Sequence, residues 1–467
     1  MNLHSIPLRL LAPVANKRLI QVAERCLHRH PAQRYSSASE VGDALAQVNA
    51  SPHARGSTHS TRRLSHGAIW RTALALANRL ARAEEDGRSR DGRSANLGGP
   101  PTVRDLGSGL AGRVLALHHA HSAFGQGRHR DALRRASTAL VPPSNLMSIE
   151  PLPGLYVGAA GISLSIMAAA VSLGCSDMYN QALTLGAKVA GLPHLSPDMF
   201  HGSAGRIRAH LYLWRQSGDQ THLDAAKKAA RHILETVVLD QTGPRWVIPP
   251  GYGGSSGSAF FGYAHGSAGI ADALLELYEV TQEAHLIECA LEVYASLRRV
   301  AVVGGASDTE AYWPVSPGTR LSQPFWCHGA GGIGRFLLRA SLYERFVGAS
   351  EMALKAARAV LAGSRWSNVS YCHGLAGNID FLLDAARLLD ARWLSTAADE
   401  LAEIMLCWLN NIDGQIVGRN ELEPSGPGWL AGWSGTLSCL VRLANPNFHP
   451  VELGGLALGS PDATKLI

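Results

Sequence analysis

The chain of 467 residues is poor in charged and aromatic side chains: Asp, Glu, Lys and Arg make up 17%, and Phe, Trp and Tyr 6%. Apolar residues account for 46%, so the composition excludes a chain that is disordered throughout and indicates a sizeable core. The net charge of +6 is modest, and much of it lies in Arg-rich stretches near the start that lack interleaved aromatics. The composition therefore argues against nucleic acid as a partner.

Cysteine is also scarce. The seven cysteines are Cys26, Cys175, Cys289, Cys327, Cys372, Cys407 and Cys439. An odd, scattered set does not resemble a disulfide framework. The first residues lack the cationic start and apolar core of a signal peptide, and no apolar run approaches the ~20 residues that span a membrane. We therefore expect a cytoplasmic protein without a membrane span, whose free thiols can serve as metal ligands.

Glycine, in contrast, is abundant and periodic. Among the 49 glycines, seven copies of the motif Gly-x-x-Gly recur at intervals of 44–64 residues, with first glycines at Gly109, Gly158, Gly202, Gly266, Gly329, Gly374 and Gly432. An apolar helical stretch follows each motif, and an amphipathic stretch follows most of them, which is typical of an inner and an outer helix. The pattern predicts an all-α fold, an α/α toroid of about seven helical hairpins over residues 68–450, with the glycine turns around one mouth.

Outside the repeats, the sequence predicts a small helical unit over residues 1–49, a linker over 50–67 and a C-terminal tail over 451–467. Residues 25–35 and 37–41 resemble the last two helices of a bacterial Ser/Thr protein kinase domain. The chain has no Gly-rich phosphate loop, no His-Arg-Asp loop and no Asp-Phe-Gly, so it is not an active kinase as it stands. We interpret the unit as a kinase-like remnant with a structural role.

Aligning the seven motifs places similar residues in register. Directly before the first glycine, four successive copies carry His201, His265, His328 and His373. One position earlier, two successive copies carry Cys327 and Cys372. A single histidine here would be an ordinary helix-start residue, and a single cysteine a small core residue. Two thiols and several imidazoles at one mouth favour a metal site, and two Cys with one His would leave zinc an open fourth position.

The motifs closely resemble those of the lanthionine synthetase C-like cyclases. The matching segments are Asp-Met-Phe-His-Gly-Ser-Ala-Gly from Asp198, Gly-Tyr-Ala-His-Gly-Ser-Ala-Gly from Gly262, Trp-Cys-His-Gly from Trp326, Tyr-Cys-His-Gly-Leu-Ala-Gly-Asn from Tyr371 and Gly-Trp-Leu-Ala-Gly-Trp-Ser-Gly from Gly428. The resemblance covers about residues 68–445. With the kinase-like start, the chain is similar to the C-terminal part of a class IV, zinc-dependent lanthipeptide synthetase.

This resemblance implies roles for individual residues. Cys327, Cys372 and His373 would bind zinc, and Asp198 and His265 would be the acid–base pair. Family members often carry an Arg four residues before the first ligand cysteine. Here that position is Gln323, and Arg320 is the nearest substitute. Arg320, His201 and His328 are expected to line the cavity.

The implied reaction is Michael-type addition of a peptide Cys thiol to dehydroalanine or dehydrobutyrine, which forms lanthionine or methyllanthionine. The partners would be a dehydrated precursor peptide and a separate kinase or lyase that dehydrates it. Two other possibilities stay open: addition of glutathione to dehydrated peptides, and a non-catalytic, zinc-stabilised toroid that binds a peptide or associates with a kinase. A toroid hydrolase would need paired carboxylates, whereas the motifs contain only Asp198.

Overall fold

The computed structural model describes residues 15–28, 30–49, 66–85, 103–141, 152–305, 308–409, 428–445 and 452–454, together with residues 8, 12, 447, 448 and 450. Residues 50–65 of the expected linker, and the expected tail beyond residue 454, lie outside the described residues. Helices dominate the described chain, and the few strands form two short antiparallel hairpins.

Six consecutive helical hairpins form most of the fold. They are α4 (Leu110–Phe124) with α5 (Gly127–Leu140), α6 (Ala159–Leu173) with α7 (Ser176–Ala190), α8 (Ser203–Ser217) with α9 (Gln220–Glu235), α10 (Ser267–Thr281) with α11 (Ala284–Val300), α12 (Ala330–Ala340) with α13 (Ala349–Gly363), and α14 (Leu375–Leu388) with α15 (Arg392–Leu409). In each pair the helix after the glycines is the inner one. All residues of α12, and all but two of α6, are buried, whereas the second helices bury one face.

The seventh inner helix, α16 (Trp433–Ala444), has its partner at the other end of the repeat region. It packs against α3 (His66–Glu85), which precedes the first repeat, and against α4. Each inner helix contacts the next, and α16 contacts both α14 and α4, so the ring is closed. The expected α/α toroid of seven hairpins is confirmed. Closure gives each of the seven described inner helices an inner neighbour on both sides.

The paired glycines permit close approach between backbones. A Cβ on Gly202 would strike the backbone of Ser196, and a Cβ on Gly205 would strike the carbonyl of Met199, both in the preceding loop. Equivalent conflicts recur at Gly329 and Gly332. Of the seven first glycines only Gly158, with φ of +144°, has a backbone angle that disfavours other residues. Close approach therefore explains the repeated motif more generally than unusual backbone angles.

Two strand pairs extend the loops that follow α9 and α11. The first joins β1 (Val238–Asp240) to β2 (Gly243–Arg245), and the second joins β3 (Val302–Gly304) to β4 (Glu310–Tyr312). These insertions lengthen the third and fourth repeats, which explains the wider spacing of their motifs in the sequence.

The N-terminal unit contains α1 (Lys17–Cys26) and α2 (Ala38–Asn49), which pack against each other. Arg25 forms an ion pair of 3.1 Å with Glu40, and the exposed Arg34 donates to the backbone carbonyl of His28 at 2.7 Å. The expected pair of helices is thus present, while its kinase origin stays a prediction. None of the described helices combines the length and apolarity needed to cross a membrane.

Candidate functional site

The two register cysteines lie side by side at the mouth of the ring. Cys327 belongs to the turn before α12 and Cys372 to the turn before α14, and both are buried, with 3% and 5% exposure. His373 follows Cys372 and is exposed. One donor atom from each of the three residues lies within 4.8 Å of the other two. This arrangement places two thiols inside the protein and leaves the imidazole side of the cluster open to a ligand.

The electrostatics of this cluster suit a cation. Hydrogen bonds from Cys372, and then from His373, hold the pKa of the Cys327 thiol well below its usual range. The same interaction with Cys327, reinforced by burial, raises the pKa of Cys372. A bound cation would hold both residues as thiolates, because thiol ligands bind metals in their deprotonated form.

The donor set fits zinc, which prefers Cys and His ligands in tetrahedral geometry. Two thiolates and one neutral imidazole would complete three of four positions and balance the charge of the ion. His328 lies next to Cys327 but outside the group of three. Burial lowers its pKa, and its Nδ1 is buried without a hydrogen-bond partner. His328 therefore borders the cluster in the described structure.

A carboxylate shared by two imidazoles forms the neighbouring part of the site. Asp198 is fully buried in the turn before α8. Its Oδ2 accepts from His265 Nδ1 at 2.5 Å and from His201 Nδ1 at 3.2 Å. Its Oδ1 accepts from the His201 backbone N–H at 2.9 Å and from the Ser196 hydroxyl at 3.1 Å. Both imidazoles consequently have Nδ1 occupied as a donor, which leaves each Nε2 available.

Asp198 remains a carboxylate in this setting. Burial alone would raise its pKa, but the hydrogen bonds from His201 and His265 outweigh burial and lower the pKa to about 2. Since the carboxylate is already ionised and saturated with donors, it can orient the two rings and stabilise one imidazolium, but it is a poor proton acceptor at neutral pH.

The histidines form a row along the mouth that connects the two groups. The rings of His201 and His265 are nearly parallel, with centroids 5.4 Å apart, and those of His265 and His328 are 5.9 Å apart. Residue 264, next to His265, donates its backbone N–H to the Cys327 carbonyl at 2.9 Å. The acid–base group and the thiol cluster therefore occupy adjacent turns of one mouth.

Four buried aromatic side chains form a floor beneath the turns. They are Tyr263, Trp326, Tyr371 and Trp429, each three positions before a first glycine, with successive ring centroids 5.3, 5.7 and 5.7 Å apart. Through the repeat register, the sequence already places these aromatics in one ring layer. These ring contacts pack each of the four turns against the next.

Two buried groups of ion pairs, which the sequence did not predict, lie under this floor. One consists of Arg208, Asp272, Glu276 and Arg339, and the other of Arg335, Asp380, Asp384 and Arg442. The hydroxyl of Tyr263 donates to Asp272 at 2.5 Å, and that of Tyr371 donates to Asp380 at 2.9 Å. Each group thereby anchors one of the two tyrosines that precede His265 and Cys372. Hydrophobic periodicity carries no signal for such charges inside a helix ring.

The chain after α16 also enters the ring, although the sequence predicted a tail from residue 451. Glu452 is buried, accepts from His118 at 2.9 Å and from His119 at 3.2 Å, and forms a third group of potential metal ligands with them. Each histidine also has its second ring nitrogen paired with a serine hydroxyl, at 2.6 Å for Ser172 and 2.8 Å for Ser438. All four ring nitrogens are therefore satisfied without an ion.

Arg320 does not join the cluster. It is exposed in the loop before Cys327, where its backbone carbonyl accepts from Val315 at 3.2 Å. Gln323, at the position where the family often has Arg, is also exposed. Tyr252, which the sequence did not single out, packs against the His201 ring at 4.8 Å. The insertion between the third and fourth repeats therefore supplies an additional wall of the site.

The chain is similar to known proteins in both sequence and structure. A family model described as lanthionine synthetase C-like protein matches residues 100–452. The fold is similar to that of nisin cyclase, with 18% identity, a TM-score of 0.59, and coverage of 79% of this chain and 93% of that chain. Two weaker matches are the Lin0763 protein from Listeria innocua and the unsaturated glucuronyl hydrolase from Bacillus sp. GL1. The first has 13% identity and a TM-score of 0.41, with 61% of this chain and 83% of that chain covered. The second has 14% identity and a TM-score of 0.42, with 81% of this chain and 97% of that chain covered. No curated protein matches the sequence.

Proposed function

The chain belongs to the lanthionine synthetase C-like family, and from that premise we propose that it is a zinc-dependent lanthipeptide cyclase. It would join a peptide Cys thiol to a dehydroalanine or dehydrobutyrine of the same peptide. The observation that carries the proposal is the convergence of Cys327, Cys372 and His373 beside the Asp198–His265 pair. The substrate would be a precursor peptide that a separate kinase or lyase has dehydrated.

The metal part of the proposal assigns Cys327, Cys372 and His373 as ligands. Zinc, when bound there, would supply the positive charge that keeps a coordinated substrate thiol deprotonated at neutral pH. The open side next to the exposed His373 would admit the substrate.

The acid–base part follows from the shared carboxylate. In the proposed reaction the thiol loses its proton, a C–S bond forms at the β-carbon, the C=C π bond breaks, and the resulting enolate takes a proton at the α-carbon. His265 is the proposed donor of that proton, because it is the imidazole of the Asp198 group that lies towards the thiol cluster. Asp198 would hold the ring and stabilise its imidazolium form.

His201 is proposed to assist from the same carboxylate. It donates to the oxygen that also serves His265, and 16% of its side chain is exposed. Because both rings bind the same carboxylate oxygen, His201 would keep Asp198 in place for its contact with His265.

The test is incubation of the purified chain with zinc and a chemically dehydrated, Cys-containing peptide. Thiol alkylation followed by mass spectrometry counts the thiols that have been consumed. We expect rings to form with the wild type, and Cys372→Ala to lose both bound zinc and ring formation. Cys289→Ala removes another buried thiol and is the matched control. Retention of zinc and full ring formation by Cys372→Ala would contradict the assignment.

The same assay separates the two alternatives. With glutathione present, a peptide that gains the mass of glutathione in place of a ring would indicate intermolecular addition. A protein that binds one zinc and the peptide, yet consumes no thiol under any condition, would be a metal-stabilised scaffold. Either outcome replaces the cyclase proposal.

A further inference from the structure

Backbone hydrogen bonds connect neighbouring glycine turns around the ring, and each such connection is called a joint. We propose that the metal held by Cys327, Cys372 and His373 connects the two described turns whose joint lacks this hydrogen bond. The ion would then be part of the toroid's architecture as well as of its site. This inference rests on the metal-binding half of the proposed function, and it does not depend on the cyclisation reaction.

Backbone hydrogen bonds join neighbouring turns around the mouth in a repeated pattern. The joints are Gly107 N to Tyr156 O (2.8 Å), Tyr156 N to Phe200 O (3.1 Å), Met199 N to Ala264 O (3.2 Å), Ala264 N to Cys327 O (2.9 Å), Cys372 N to Leu430 O (2.9 Å) and Leu430 N to Gly107 O (2.9 Å). In each case the acceptor is the carbonyl two positions before a first glycine. Six of the seven joints thus use equivalent acceptor atoms.

The seventh joint, between the turns that begin α12 and α14, differs. Within the described residues, no backbone hydrogen bond runs from Trp326 or Cys327 to Tyr371 or Cys372, and the Cys372 carbonyl receives no backbone donor. Across this gap, one ligand atom from each of Cys327, Cys372 and His373 lies within 4.8 Å of the other two. Among the seven described joints, the two cysteines therefore lie at the one that the backbone does not close.

A side chain accounts for the gap. In each joint, one turn donates the backbone N–H and is called the donor turn. Three donor turns have a glycine four positions before their first motif glycine, namely Gly154, Gly262 or Gly428. A Cβ at any of these three would strike the backbone of the next turn. The corresponding residue of the fifth turn is Phe325. Its ring packs edge-on against His373 of the sixth turn, with centroids 5.5 Å apart.

The remaining donor turns carry Asp105, Asp198 and Ser370 at this position, and all three make their joints. Only the bulky phenylalanine coincides with the open joint. Phe325 therefore acts as a spacer that holds the two turns apart by the width of a metal site. Coordination by one cysteine from each turn would restore the missing connection.

The inference is tested by hydrogen–deuterium exchange of the full chain, loaded with zinc and after treatment with a chelator. Metal removal should accelerate exchange in residues 323–329 and 368–374 by about fivefold or more, which corresponds to the net contribution of one hydrogen bond. Exchange in the turns around Gly158 and Gly202 should not change. Equal acceleration in all seven turns, or none in the fifth and sixth, would overturn the proposal.

A variant tests the spacer separately. Phe325→Gly gives the fifth turn the residue found in the second, fourth and seventh, so its backbone should close the joint without metal. We expect chelation to accelerate exchange in the two turns much less in Phe325→Gly than in the wild type, with Phe325→Ala intermediate. The control is Phe260→Gly, which removes a ring that packs against His328 at 5.0 Å and should keep the wild-type response. A wild-type response in Phe325→Gly would refute the spacer.

Failure of this inference and failure of the proposed function are distinguishable. A protein that forms rings but shows no metal-dependent protection of the two turns would be a cyclase without a metal-closed joint. A protein that gains protection with zinc but consumes no peptide thiol would have the joint without the reaction.

Discussion

The replacement Asp198→Asn tests the acid–base group most directly. Asp198 is fully buried and accepts four hydrogen bonds, two of them from imidazole nitrogens at its Oδ2. An asparagine of the same shape keeps one acceptor oxygen and replaces the other with an NH2 donor. In either orientation of the amide, its NH2 group faces donors whose hydrogen bonds a carboxylate oxygen of Asp198 accepted, so those hydrogen bonds are lost.

The expected effect on rate follows from His265. If the amide NH2 faces Nδ1 of His265, that Nδ1 must act as an acceptor, so the ring is held in its neutral form with the proton on Nε2, and a neutral imidazole is a far weaker proton donor than an imidazolium. The loss of imidazolium stabilisation adds to this change of tautomer. Removal of a general acid–base function typically costs about 10²–10⁴-fold in rate, or about 3–5 kcal/mol of barrier. Zinc binding should persist, because Asp198 is not among the three proposed ligands.

The assay measures ring formation from a dehydrated peptide under single-turnover conditions, together with zinc content. The matched control is Asp105→Asn. Asp105 occupies the same position relative to its first glycine, and its Oδ1 accepts from the Ser108 backbone N–H at 2.7 Å, but no imidazole among the described residues forms a hydrogen bond with it. Asp105→Asn should leave the rate unchanged. A wild-type rate in Asp198→Asn, or a loss of zinc from it, would refute this account of the site.

Three further predictions follow from the same contacts. His265→Gln should retain zinc and lose about 10²–10⁴-fold in cyclisation rate, and zinc loss measured by metal analysis would instead make His265 a ligand. Because the folded pKa of Asp198 is lowered to about 2, its contribution to stability should be complete above the unfolded value of about 4 and vanish as pH falls towards 2. Urea unfolding should therefore show the difference between wild type and Asp198→Asn shrinking over that range, and a constant difference would contradict the lowered pKa. Glu452→Gln removes the buried charge shared by His118 and His119 and should lower the free energy of unfolding by about 1–3 kcal/mol, whereas unchanged stability would mean that this buried pairing contributes nothing.

The repeat architecture was predictable because its cause is local. Every inner helix starts where two glycines let the chain pass closely over the preceding loop. The need for close approach therefore appears in the sequence as the motif Gly-x-x-Gly. Once the seven motifs are in register, residues at equal positions must lie at one mouth. The register alone therefore predicts that Cys327, Cys372, His201, His265 and His328 lie together.

Other features depended on contacts between distant segments. The outer partner of α16 is α3, because the ring closes only when the two ends of the repeat region meet. Glu452 returns to His118 and His119 across more than 300 residues, and no periodicity encodes that pairing. Arg320, the nearest basic residue in sequence to the position expected for Arg, remains exposed in its loop.

The sequence by itself determined the helical hairpins, their register and the identity of the side chains at the mouth, since each depends on residues within one repeat. The tertiary structure alone decided which neighbouring turns join through their backbones and which are held apart. That difference depends on how Phe325 meets His373 across the interface of two repeats. A contact between repeats is fixed only when the ring closes.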